Sequence, residues 1–126
     1  MKMLLAVALG GAFGAVARYK VIGWVGHLAG HGFPWGTLAV NVVGSFLMGA
    51  LIEAGALKFN MSNEMRGFLA VGTLGAFTTF STFALDFATL WQRGEALPAV
   101  IYAVTSSSLA ILALFAGLST VRAVFS

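Results

Sequence analysis

The chain alternates long apolar stretches with short polar breaks, four times over. Residues 3–24 carry no charge from Met3 to Ala17 and then meet Arg18 and Lys20, whose long stems let the charge snorkel to an interface. Residues 25–33 form a connector containing Gly and His. The second stretch, 34–53, opens on Pro34, a residue favoured in the first turn of a helix, and stays uncharged until Glu53. A polar loop covers 58–66, and a third apolar stretch runs 67–90. Arg93-Gly94-Glu95 then turns the chain into a fourth stretch over 96–121. A bilayer-crossing helix needs about 20 apolar residues. The pattern therefore predicts an all-α integral membrane protein with four transmembrane helices in a single domain over 1–126. Trp24, Trp35 and Trp91 fall near span ends, as an aromatic belt at a membrane interface requires.

Composition supports lipid as the solvent. Apolar residues make up 60% of the chain and charged residues 9%, with a mean hydropathy of +0.95. Soluble domains carry about 25% charged residues, and a fold with so few could not cover a surface facing water. Met1-Lys2 before an apolar run resembles the start of a signal peptide. Everything downstream is equally apolar, so the run reads as the first span. The absence of Cys excludes disulfides, thiolate metal sites and a Cys nucleophile. A scattered net charge of +3 gives no basic patch for nucleic acid.

Topology follows from counting. With an even number of spans, Lys2, Lys58, Arg66 and Arg122 lie on the side of the termini, against Arg18, Lys20 and Arg93 opposite, so the seven basic residues divide almost equally. Orientation is set by an excess of basic residues on one side, and near parity predicts insertion both ways up unless one or two terminal charges decide. Oppositely inserted copies could pair about a two-fold axis in the membrane plane. A four-helix bundle fills its own centre, so a conduction path is more readily built between subunits. Gly10 and Gly14 form a G-x-x-x-G that fits either a packing face or a dimer seam. His27 and His31 are spaced i, i+4, which on a helix suits a metal, but no carboxylate is near, and solvation at an interface is the simpler reading.

The span centres hold almost no ionisable groups; Arg18, Glu53 and Asp86 sit toward ends. A proton-coupled antiporter needs an intramembrane acid, so this pattern argues against one. No nucleophile set, zinc-protease motif or phosphate loop is present, and enzyme chemistry has little to stand on. What remains is neutral and polar: Asn41, the Thr/Ser cluster of the third span, and hydroxyls of the fourth. Such groups can donate hydrogen bonds to a dehydrated anion without the fixed charge that would hold it too tightly. Phe80 and Phe83 share one helical face, and their weakly electropositive ring edges could line an anion path, or simply pack. The stretch 75–79 suits either an unwound backbone whose carbonyls coordinate a cation such as Na⁺, or an intact helix whose hydroxyls bond to the preceding turn.

The run Gly75-Ala76-Phe77-Thr78-Thr79-Phe80-Ser81-Thr82-Phe83 closely resembles the G-x-x-T-T-F-S-T-F signature of the Fluc (CrcB) fluoride channel family. Gly36-Thr37-Leu38 with Asn41 resembles its second-span signature, and Gly10-Gly11, Gly14 and Arg18 its first-span pattern. The resemblance extends over the whole chain. It implies an antiparallel, dual-topology homodimer in the bacterial inner membrane, surrounded by lipid and passively exporting fluoride. It implies a third span broken at its centre, with a structural Na⁺ on the dimer axis held by the carbonyls of Gly75 and Thr78. Along the ion path it implies Asn41, Phe80 and Phe83, then Thr79, Ser81, Thr82 and Thr37, with Tyr102 and Ser106 from the fourth span and Arg18 toward a vestibule. Asp86 stands where many members carry Glu, and Ala110 where some carry Ser. The competing classes are a small dual-topology multidrug or cation exporter, which would need an acid in the first span, and a non-transporting assembly subunit, which would need no hydroxyl track.

Overall fold

The computed structural model describes residues 1–57 and 60–125. Lys58, one of the basic residues counted above, lies outside the described residues. Four stretches, Lys2–Ala29, Trp35–Leu57, Asn63–Gln92 and Ala96–Phe125, are helical, long and apolar enough to cross a membrane. No strand occurs among the described residues. Helices are expected on physical grounds, because lipid offers no partner for backbone N–H and C=O groups.

Helix α1 spans Lys2–Ala29 and α2 spans Trp35–Leu57. Both run further than the apolar pattern indicates, since nothing in 25–29 stops a helix until Gly30, which takes φ 88°. His27 is therefore on the last turn of α1, whereas His31 lies beyond it with its ring packed over Gly26. The two do not form a helical i, i+4 pair. Pro34 stands just before α2, and its carbonyl accepts from the Leu38 N–H at 3.2 Å. The polar loop ends in a short helix, α3 (Asn63–Arg66), capped by Ser62 Oγ, which accepts from the Met65 N–H at 3.1 Å.

The third span is composite. A π-helical segment, Gly67–Leu74, leads into a single turn, α4 (Gly75–Phe77). Thr78 is extended (φ −85°, ψ 160°), and α5 begins at Ser81 and ends at Gln92. Gly94, at φ 80°, then reverses the chain. Its N–H bonds to the Trp91 carbonyl and the Glu95 N–H to the Leu90 carbonyl, the paired bonds of a glycine helix stop. Arg93 braces this turn, with Nη2 3.0 Å from the Gly32 carbonyl and 2.8 Å from Glu95 Oε2. Helix α6 occupies Ala96–Phe125.

Packing is organised in two close helix pairs. Helices α2 and α6 share the largest interface. It is made possible by Gly49, which lies against the Leu114 carbonyl, and Gly117, against the Phe46 carbonyl. Helix α1 packs on the π segment through Gly10, Gly14 and Gly72, so the G-x-x-x-G serves packing within the chain. The first half of the third span thus belongs to α1, while α5 lies against α6. The exchange of partners falls at Thr78–Phe80. A small core of Leu90, Ala99 and Tyr102 gathers Phe33, Leu38, Phe83 and Phe87 around it. Most other large apolar side chains, such as Leu5, Leu9 and Phe13 on α1 or Ile111, Leu112 and Phe115 on α6, point outward, as a lipid-facing surface demands.

Candidate functional site: a polar groove at the interrupted third span

Where the helix stops at Phe77, the Thr79 N–H, the Thr79 carbonyl and the Thr82 N–H need new partners, and side chains supply them. The Leu74 carbonyl accepts from both the N–H and the hydroxyl of Thr78, each at 3.1 Å. The Thr79 N–H donates to Asn41 Oδ1 at 2.7 Å, and Asn41 Nδ2 donates to the Thr79 carbonyl at 3.0 Å. Thr79 Oγ1 in turn accepts from the Thr82 N–H at 3.2 Å and caps the start of α5. Every hydrogen-bonding atom of Thr79 is therefore engaged, and the residue is buried. Only an oxygen can accept from the Thr79 N–H, so the orientation of the Asn41 amide is fixed by chemistry. One N–H of Nδ2 is left over.

That amide borders an open groove of about 370 Å³, which is also lined by Ser45, Thr78, Thr79, Phe80, Phe83 and Ser106. Ser106 is 4% exposed, and its Oγ has no hydrogen-bond partner among the described residues. A buried hydroxyl left unpaired costs about 1–3 kcal/mol, so its persistence calls for an occupant of the groove. Phe80 is 78% exposed on the chain surface. Its ring lies 5.4 Å from Phe83, which lies 5.1 Å from Tyr102, and Tyr102 meets Phe33 edge-on at 5.5 Å. The rings form a continuous rim from the groove into the core. Tyr102 is fully buried, and its hydroxyl donates to Asp86 Oδ2 at 3.0 Å.

Of the residues marked by the sequence, Asn41, Thr78, Thr79, Phe80, Phe83 and Ser106 come together in this groove. Thr37 and Thr82 line a neighbouring cavity of about 310 Å³ with Asp86 and Arg93. Arg18 lines a third, of about 500 Å³, with Lys20, Tyr19 and Thr82, so Thr82 stands between the two. Ser81 is exposed and borders none of the three cavities. Gly75 is exposed one turn before the interruption. Ser45 and Ser107 also line the groove and were not singled out by sequence. Ser45 stands four residues after Asn41, a spacing that places both on one face of α2.

No group of three or more His, Asp or Glu able to hold a metal occurs among the described residues. Helix α1 contains no acidic residue, which leaves a proton-coupled exporter without its exchanging group.

Comparison with known proteins matches nearly the whole chain to one family. Residues 5–118 match the family described as CrcB-like protein, Camphor Resistance (CrcB). A fluoride-specific ion channel FluC of Chelativorans sp. (strain BNC1) is 53% identical over 124 residues, covering 98% of this chain and 99% of that protein. The protein of the same name from Rhizobium etli (strain CFN 42) is 52% identical over 123 residues, 98% of each chain. That of Rhodospirillum centenum is 51% identical over 122 residues, 97% of each. With four membrane-spanning helices and near full-length matches, the chain is a multi-pass membrane protein that belongs to the CrcB family.

Proposed function

We propose that the protein is a fluoride-selective channel that passively lowers cytoplasmic fluoride, and not an enzyme. The observation that carries this reading is the buried, unpartnered Ser106 hydroxyl, which shares one groove with the spare Asn41 N–H and the exposed Phe80 ring. A small anion shedding water needs neutral donors in place of its hydration shell, and an apolar aromatic rim keeps bulk water from competing. The relatives named as fluoride-specific channels support the same ion.

The groove is open along one side, and we propose that an antiparallel second copy closes it. The near parity of basic residues supports dual insertion. So does the tryptophan distribution: Trp24 near the end of α1, Trp35 at the start of α2 and Trp91 at the end of α5 all lie toward the same membrane face. An aromatic belt is usually present at both interfaces, and an inverted partner would supply the missing one. A bacterial inner membrane is the proposed location.

For the structural Na⁺, the donor chemistry fits. Thr78's extended backbone takes its carbonyl out of the helical ladder, Gly75 is exposed, and carbonyl oxygens are the hard donors that Na⁺ accepts. Bound there, the ion would supply positive charge between the two subunits. Gly75 and Thr78 of each copy would hold it.

The test is efflux from proteoliposomes without a proton gradient. Release of fluoride with retention of chloride is expected. Equal release of both ions, or no release, would end this reading.

A further inference from the structure

We infer that Thr73 is a positioning residue for the ion path: its hydroxyl holds a π turn, seated on Gly10 and Gly14, that fixes where the third span leaves its helix and so presents Thr79 to Asn41. This rests on the function proposed above. Helical Thr hydroxyls commonly bond to a carbonyl of the preceding turn. Thr78 reaches Leu74, Thr89 reaches Leu85 and Thr120 reaches Ala116, all four residues back. Thr73 instead donates to Phe68, five residues back, at 2.8 Å. In a π turn the carbonyl beneath a residue belongs to i−5, so the hydroxyl reinforces the widened ring, whereas in an α-helix it would reach the i−4 carbonyl of Leu69 instead.

A π segment of this length needs a cause, because π turns are usually single and tend to mark functional sites. Helix α1 supplies one. A Cβ on Gly10 would run into the Phe68 carbonyl oxygen and lie 2.9 Å from the Thr73 nitrogen. A Cβ on Gly14 would run into the Thr73 carbonyl oxygen and lie 3.1 Å from Ala76 Cβ. The two glycines therefore bracket the Thr73 residue itself, and α1 follows the shape of the widened turn. Beyond it, only Leu74 and α4 separate Thr73 from the interruption. Reversion to α-helix would shift everything after it by one residue, a rotation of about 100°. The Thr79 N–H, 2.7 Å from Asn41 Oδ1, would lose its acceptor.

Amide exchange at Thr79 and fluoride efflux read this directly, both on the full-length protein. Thr73→Val keeps the branched shape and removes the hydroxyl. It is expected to speed Thr79 exchange about tenfold, the scale of one lost hydrogen bond, and to slow efflux by a similar factor. Thr73→Ser, which keeps the hydroxyl, is expected to restore both to within about twofold. Thr73→Ala carries the same expectation as Thr73→Val and serves if the Val variant does not fold. Unchanged Thr79 exchange, or faster exchange with unaltered efflux, overturns the assignment. A wild-type protein without fluoride efflux would end the proposed function, whereas Thr79 exchange would still decide whether Thr73 sets the register.

Discussion

Asn41 on α2 holds both backbone groups of Thr79, accepting from its N–H at 2.7 Å and donating to its carbonyl at 3.0 Å. One side chain thus replaces the helical bonds that the interruption removes and also faces the groove. Asn41→Asp retains the acceptor but sets a carboxylate oxygen against the Thr79 carbonyl and removes the spare donor. Fluoride efflux from liposomes is expected to fall by more than about tenfold, since each unmet buried group costs about 1–3 kcal/mol. Size-exclusion chromatography should show the assembly unchanged. Efflux within twofold of wild type would remove Asn41 from the path.

Ser106 offers a cleaner separation, because its hydroxyl has no hydrogen-bond partner among the described residues. Ser106→Ala removes an unsatisfied buried group, so thermal stability should hold or rise slightly, while efflux should fall several-fold if the hydroxyl serves the ion. A stability loss larger than the flux loss would mean that the hydroxyl has a structural partner instead. Phe80→Ile is the companion test. The ring is exposed on the isolated chain and adds little to its core, so the variant should keep its fold and lose efflux.

These residues also mark how far the sequence could be read. Four spans were legible because lipid forces about 20 consecutive apolar residues on any crossing helix. Their ends were not: α1 continues to Ala29 since Val25, His27 and Leu28 carry no stop before Gly30. Asn41 could be picked as a polar group in apolar surroundings, whereas Ser106 was marked out among the hydroxyls of the fourth span only by the family resemblance. The bond from Asn41 to Thr79, 38 residues away, could not, because it depends on two spans meeting at one depth. Nor does any local pattern announce that the third span exchanges α1 for α6 at Thr78–Phe80. The pairing of its first half with α1 rests on Gly10, Gly14 and Gly72, which become informative only once the two segments are paired.

The pair formed by Glu53 and Arg122 tests the α2–α6 pair. Glu53, 6% exposed, accepts from Arg122 Nε at 2.9 Å, with Nη2 2.8 Å from the same oxygen, near the ends of α2 and α6. Arg122→Met strands a buried carboxylate. Since the Arg122 side chain is 66% exposed, the cost should lie below the roughly 3–5 kcal/mol of a fully buried broken pair, at about 1–3 kcal/mol. The double variant Glu53→Leu with Arg122→Met should recover most of it, as apolar replacements carry no charge penalty. Thermal melts in detergent provide the measurement. Additive losses in the double variant would show that the two side chains act independently.

Orientation provides the last test, because the proposed groove closes only if both insertions occur. The four basic residues on the terminal side face three on the other. Asn60→Lys with Glu64→Lys, both at exposed positions, adds two to the terminal side. The excess should drive the termini to the cytoplasm in nearly every copy. Lys2→Gln and Lys58→Gln with Ala29→Lys reverses the balance. Labelling of a terminal cysteine from either side of the membrane should show each variant in a single orientation. Each expressed alone should lose fluoride resistance, because every copy then lacks an inverted partner. Co-expression should restore it, with no change to any residue of the groove. Resistance retained by either variant alone would show that copies facing the same way suffice.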